Sequence, residues 1–165
     1  MQKIRILAVD PGYEKLGIAV LEKVRGGKET LIHSECFFTK KSDKEKRWLL
    51  IGQKIKKVSK DFSPDLLAME NLFFNKNQKT ALLVSEARGI ILYEAMLFGM
   101  QTKHYSPLEV KIAVTGYGRS DKSQVEEMVK RLVKIEKKGK LEDDEYDAIA
   151  VGLTACASFR FSDLG

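Results

Sequence analysis

Asp10, Glu70, Asp144 and Asp147 are the residues of this chain best suited to do chemistry together. They lie far apart in sequence, yet each stands at the edge of an apolar segment able to carry it to a common point. Ile-Leu-Ala-Val runs into Asp10, Asp-Leu-Leu-Ala-Met ends on Glu70, and Asp144 and Asp147 open a small-residue apolar run that continues from Ala148. Crowded carboxylates repel and resist ionising, so a fold that gathers them needs positive charge in their midst. Hard divalent cations with oxygen ligands, Mg²⁺ foremost, meet that need. The chemistry such a centre serves is phosphodiester hydrolysis. Two ions about 4 Å apart activate water and stabilise both the pentacovalent phosphate and the leaving oxygen. Mg²⁺ keeps several waters, so four carboxylates suffice for two ions. Asp10 is expected to lie between both ions, Glu70 and Asp144 to favour one each, and Asp147 to complete a shell.

Each acid also has an ordinary reading. Asp10-Pro11-Gly12 fits an Asx-turn, and Glu70 fits a solvated strand end. Glu142 to Glu145 fits a helix N-terminus favoured by the dipole, with Asp143 or Asp144 as its cap. The charge balance bears on the choice. The 165 residues carry 29 Lys and Arg against 23 Asp and Glu, for a net +6. With the four acids set aside, 29 basic side chains face 19 acidic ones. A basic surface around an acidic focus is the pattern of a nucleic-acid enzyme with bound metals, although charge alone equally fits a merely basic protein.

The elements that must position these acids follow from hydrophobic patterning. Ile4–Asp10 is a short continuous apolar run and reads as a buried strand. Residues 16–24 and 29–38 read as two more strands joined across Arg25-Gly26-Gly27-Lys28, a hairpin signal. An amphipathic helix over 43–62 is stopped by Ser63-Pro64. Asp65–Asn71 is the fourth strand, residues 77–99 a long helix, and Gln101–Ser106 a fifth strand. A helix from Ser123 opens with a Ser123/Glu126 capping box and carries Val125, Met128, Val129 and Leu132 on one face. A last helix runs from about Asp144 to Ser158, where Asp144 and Asp147 share a face. The order βββαβαβαα predicts an α/β domain spanning 1–165, with one mixed five-stranded sheet flanked by helices. Repeats, low-complexity stretches and Pro/Ser-rich linkers are absent from the sequence. No apolar segment approaches a bilayer span, and the short Ile-Leu-Ala-Val stretch predicts no secretory signal. Cys36 and Cys156 are expected to be free buried thiols in a reducing cytoplasm.

Several short motifs make the reading specific. Asp10-Pro11-Gly12 with Gly17, then Glu70-Asn71-Leu72-Phe73 with Lys76-Asn77, resembles the RuvC family of Holliday-junction resolvases. Ala87-Arg88-Gly89, Lys111, Lys122-Ser123-Gln124-Val125 and Asp144-x-x-Asp147-Ala148 continue the match in order over residues 4–158. The resemblance implies a ribonuclease-H-like fold and a homodimer. It also implies Mg²⁺-dependent nicking of two opposed strands of a four-way DNA junction, with Asp10, Glu70, Asp144 and Asp147 at the four acidic positions. Some members carry His where this chain has Asp144. Lys111 and Lys122 match positions that lie beside the active site and meet DNA phosphate. Phe73 matches the base-contacting aromatic, a role in which stacking is worth about 1–3 kcal/mol per base. A branch-migration complex is a further partner that the resemblance implies.

Other contacts come from the residues themselves. Lys76 and Lys79 flank the segment after Glu70, and Arg119, in a Gly118-to-Ser120 loop expected to be flexible, is a further phosphate candidate. Phe74 reads as a core residue. His33 and His104 have no second ligand at useful spacing. The helix from Asn77 to Phe98 is apolar on more than one face, which suggests a second copy across a two-fold axis. Function therefore reads as structure-selective endonucleolytic cleavage of four-way DNA junctions in recombination and repair, in the cytoplasm, with Mg²⁺ or substituting Mn²⁺. Three alternatives stand beside it. They are a ribonuclease-H-like nuclease with another substrate, an actin/Hsp70-type phosphotransferase, and a non-catalytic junction binder. The second normally needs a second domain and a second glycine-rich phosphate loop. The third has no use for four converging acids.

Overall fold

The computed structural model describes residues 1–39, 43–72, 78–136 and 139–164. Five strands and five helices follow in the order β1 (Lys3–Pro11), β2 (Lys15–Val24), β3 (Thr30–Phe38), α1 (Lys44–Phe62), β4 (Leu66–Glu70), α2 (Gln78–Leu97), β5 (Gln101–Tyr105), α3 (Pro107–Thr115), α4 (Lys122–Leu132) and α5 (Asp143–Ser158). A short 3₁₀ turn follows at Phe161–Leu164. The strands form one sheet in the order β3-β2-β1-β4-β5. β1, β2 and β3 are an antiparallel meander, whereas β4 lies parallel to both β1 and β5. This is the mixed sheet expected from the pattern of elements.

Strand alternation divides the core in two. Leu7, Val9, Leu16, Ile18, Val20, Leu67 and Met69 point to the face covered by α1 and α2, where Ile51, Ile55, Ala87 and Ile91 meet them. Ile4, Ile6, Ala8, Ala19, Leu21, Leu66 and Ala68 point to the face covered by α3, α4 and α5. The small residues Ala8, Ala19 and Ala68 let α5 come close. A Cβ on Gly152 would stand 2.2 Å from Leu21 Cδ1 and 3.2 Å from Ala8 Cβ, so the helix descends onto the sheet at that point. The buried residues of α5 extend from Glu145 to Cys156.

Three local expectations are corrected. The sequence pattern gave no helix between β5 and α4, yet α3 is there. Ser106 accepts from the Glu109 N–H and Glu109 bonds back to the Ser106 N–H, with Pro107 in the first turn. The capping box of α4 is Asp121/Gln124 rather than Ser123/Glu126, so Lys122 is the first residue of the helix. α5 is entered through Glu142 rather than Asp143 or Asp144. That leaves both aspartates inside the helix. Cys36 and Cys156 are free, as expected, but only Cys156 is buried; Cys36, on β3, is half-buried.

Candidate active site

The alternation that builds the core also aims the acids. Asp10 continues the series Ile4, Ile6, Ala8, and Glu70 continues Leu66, Ala68, so both carboxylates emerge on the α5 face. Val9 pairs with Met69 in parallel register, which makes Asp10 and Glu70 neighbours at the carboxyl ends of two adjacent strands. In open α/β sheets that is where ligands collect. A slip of one residue would send both acids to the opposite face.

α5 supplies the other two. Gly17 lies opposite Asp10 in the β1–β2 ladder, and a Cβ there would stand 1.7 Å from the Asp144 carbonyl oxygen. Glycine at 17 therefore lets the first turn of α5 rest directly on the hairpin. Asp144 and Asp147, one helical turn apart, then sit above Asp10. Ser34 on β3 holds that turn by donating a hydrogen bond at 2.7 Å to the buried carboxylate of Glu145.

The four acids feel one another. Burial first, then Asp147, Asp144 and Glu70, push the Asp10 carboxyl up to about 7, against the pull of Lys122. Burial and Asp147 raise Glu70, with Lys111 opposing. Burial raises Asp147, and Asp144 and Asp143 add to the effect while Lys122 counters it. Asp10 is thus the group that all three others reach. Two ammonium groups temper the cluster. Lys15 Nζ lies 2.5 Å from Asp144 Oδ2, and Lys122 Nζ lies 3.3 Å from Asp143 and 3.4 Å from Asp147. Glu70, Lys111, Lys122 and Asp147 line a cleft of about 220 Å³, with Val110 and Val125 on its apolar wall.

Among the described residues, no three His, Cys, Asp or Glu side chains close on a single ion position as they stand. Lys15 and Lys122 hold Asp144 and Asp147 instead. The donor set nonetheless fits hard divalent cations. It is made of oxygen alone, it is buried enough for its charges to repel, and its present counter-charges are the lysine ammonium groups.

Of the other residues singled out from sequence, Lys111 (on α3) and Lys122 (at the start of α4) border the cleft. Arg119 is exposed between them in a turn closed by a 2.6 Å hydrogen bond between Thr115 and Ser120, rather than in a loose loop. Phe73, Phe74 and Lys76 lie outside the described residues. His33 stacks on Phe62 and bonds Glu35, away from the acids. His104 accepts from Arg88. Sequence reasoning missed Lys15, because a lysine in a strand carries no signal. It also missed the anchoring role of Glu145, which only its burial reveals.

A family model described as crossover junction endodeoxyribonuclease RuvC matches residues 6–155. The crossover junction endodeoxyribonuclease RuvC of Thermosipho melanesiensis is 39% identical over 158 residues, covering 96% of this chain and all of that protein. Among solved structures, Thermus thermophilus RuvC in complex with a Holliday junction substrate superposes with a TM-score of 0.83 at 29% identity, over 92% of each chain. The yeast mitochondrial Holliday junction resolvase, 14% identical with a TM-score of 0.67 over 92% of this chain and 76% of that one, shares the fold alone. The sheet and its flanking helices are ribonuclease-H-like, as in these structures. Matched along nearly its whole length, the chain belongs to the RuvC family of crossover junction endodeoxyribonucleases.

Proposed function

We propose that this protein resolves four-way DNA junctions by paired, metal-dependent nicking, with Asp10, Glu70, Asp144 and Asp147 as its metal-holding acids. One observation carries the assignment of the site. Three separate elements bring four carboxylates to one end of the sheet, where burial first, and then Asp147, Asp144 and Glu70, push the Asp10 carboxyl up to about 7. A fold tolerates that repulsion where a cation relieves it. Asp10, reached by all the others, would lie between two Mg²⁺ ions. Glu70 and Asp144 would each favour one, and Asp147 would complete a shell. Mn²⁺ would substitute. When bound, the ions supply Lewis acidity to the attacking water, the scissile phosphate and the leaving oxygen.

The chain's own residues do the rest. Lys111 and Lys122, on the two helices that border the cleft, hold the DNA backbone and offset charge gathering at the scissile group. Arg119, in the turn between those helices, extends the basic track. Phe73 and Lys76 follow Glu70 in sequence; Phe73 is assigned to an unpaired base by resemblance, and Lys76 to a phosphate by its place just after Glu70. All 165 residues serve one nuclease domain. A homodimer would set two such sites against the two symmetric strands of a junction. A branch-migration complex is the further partner that the family implies. No described helix is long and apolar enough to cross a membrane, and the site of action is the cytoplasm.

The test is incubation with an end-labelled mobile four-way junction in Mg²⁺, with EDTA and with linear duplex of the same sequence as controls. Paired symmetric nicks that need both junction and metal are expected. Tight binding without nicks in Mg²⁺ or Mn²⁺ would make the protein a junction binder, and equal cutting of linear duplex would overturn structure selectivity.

A further inference from the structure

Ala87-Arg88-Gly89 belongs to the ordered motif set, yet neither the acids nor the DNA contacts account for it. Arg88 lies on α2, across the sheet from α5. Its Nη1 donates to the backbone carbonyl of Glu70 at 2.5 Å, and its Nη2 donates to His104 Nδ1 on β5 at 3.1 Å. Arginine can only donate, so Nδ1 accepts and the neutral imidazole carries its proton on Nε2.

The Glu70 carbonyl has a particular need of such a donor. Asn71 N–H bonds Tyr105 O across to β5, so by strand alternation the polar groups of Glu70 face β1. Extending the Val9–Met69 register by one step places residue 11 where the next ladder donor belongs. Residue 11 is a proline and has no N–H. β4 therefore loses its ladder at the residue whose side chain enters the acidic cluster. Arg88 replaces the missing bond with a charge-assisted one and ties the same point to β5.

We infer that Arg88 is a positioning residue: it fixes the end of β4 from the far face of the sheet, and so fixes the direction in which the Glu70 carboxylate leaves the near face. The inference rests on the reading of Glu70 as a metal-holding acid. A misplacement of about 1 Å at a reacting centre is enough to cost about a hundredfold in rate. Loss of the grip should therefore appear in the chemical step and in metal binding, and not in junction affinity.

The experiment compares wild type, Arg88→Ala, Arg88→Lys and Glu70→Gln. Each is assayed by single-turnover cleavage at saturating junction across a Mg²⁺ series, by junction affinity in Ca²⁺, by Mn²⁺ binding followed by electron paramagnetic resonance, and by thermal melting. Arg88→Ala is expected to bind the junction as wild type does while cutting about a hundredfold more slowly. It should also need more Mg²⁺ and hold Mn²⁺ more weakly. Arg88→Lys keeps the charge but cannot span both acceptors, so it should recover only part of the rate. It carries the test alone if the alanine variant does not fold. Wild-type cutting and Mn²⁺ binding by a folded Arg88 variant, beside an inactive Glu70→Gln, would overturn the role of Arg88. Normal cutting by Glu70→Gln would overturn the assignment of Glu70 itself.

Discussion

Asp10 shows how one residue's electrostatics reach the stability of the protein. Its carboxyl ordinarily titrates near 3.8 and is pushed up to about 7 here, chiefly by burial and then by Asp147, Asp144 and Glu70. Between those two values the folded metal-free protein keeps a proton that the unfolded chain has released. Stability must then fall as pH rises through that window. Glu70 and Asp147 are raised too and act with the same sign. Asp10→Asn removes the repulsion without changing shape. In EDTA it should therefore be more stable than wild type above pH 7, with about 4 kcal/mol as the upper bound, while cleaving no junction in Mg²⁺. Denaturant unfolding at about pH 5 and about pH 8 measures the difference. A variant less stable than wild type at the higher pH would show that the acids are not in repulsion. Because a metal must displace that proton, Mg²⁺ should raise the wild-type midpoint more at the higher pH. Asp10→Asn should lose most of that gain.

At the scale of elements, the site depends on how closely α5 approaches the β1–β2 hairpin. Gly17→Ala puts a methyl group against backbone, 1.7 Å from the Asp144 carbonyl oxygen, and neither a rotamer change nor a side-chain shift relieves that contact. The first turn of α5 must move, taking Asp144 and Asp147 with it. The variant should lose about 1–3 kcal/mol of stability and nearly all cleavage, which denaturation and the junction assay read separately. Wild-type cutting by Gly17→Ala would mean that α5 has no fixed seat. Gly152→Ala is the comparison, since its methyl group meets the side chains of Leu21 and Ala8 rather than the backbone that carries the acids. It should cost stability with a smaller effect on cutting. These contacts also mark what the sequence could reveal. Strand ends at Asp10 and Glu70 were legible because continuous apolar runs stop there. The shared face of Asp144 and Asp147 was legible from spacing alone. Gly17 was visible as part of a motif, but its purpose was not, because close approach is a relation between elements distant in sequence. α3 was missed although Ser106-Pro107-Leu108-Glu109 spells its cap. Its nine residues are too few for apolar periodicity to announce, whereas the cap chemistry alone was sufficient. The pairing of Lys15 with Asp144 depends on a hairpin geometry that no local pattern encodes.

The whole molecule has one face that the single chain leaves unfinished. Along α2, Ala81, Ala87, Ile91 and Ala95 are buried against the sheet, yet on the outer side Leu82, Tyr93, Met96 and Leu97 are each more than 60% exposed. Trp48, Gly89, Ile90 and Tyr93 line an open apolar cleft of about 500 Å³ on that side. Apolar surface gathered in one patch marks an interaction site. Gly89 is the telling residue. Among the described residues a Cβ there would meet nothing within 4 Å, so none of them needs a glycine at that position, and in a helix interior it costs about 1 kcal/mol relative to alanine. Room kept at that cost is room for something outside the chain. The occupant we propose is a second copy of α2 across a two-fold axis, because the same patch then serves both partners. The grip of Arg88 on Glu70 lies on the inner side of the same helix, so pairing would brace both active sites through one element. Gly89→Leu fills the cleft on the side of α2 away from the sheet, at a position distinct from the four site acids. It should fold with wild-type melting at low concentration, sediment as a monomer where wild type sediments as a dimer, and bind the junction more weakly. The residual cuts should fall on one strand at a time, since two sites no longer act within one complex. A wild-type protein that is monomeric at every concentration, or a Gly89→Leu variant that still sediments as a dimer and makes paired nicks, would remove α2 from the interface.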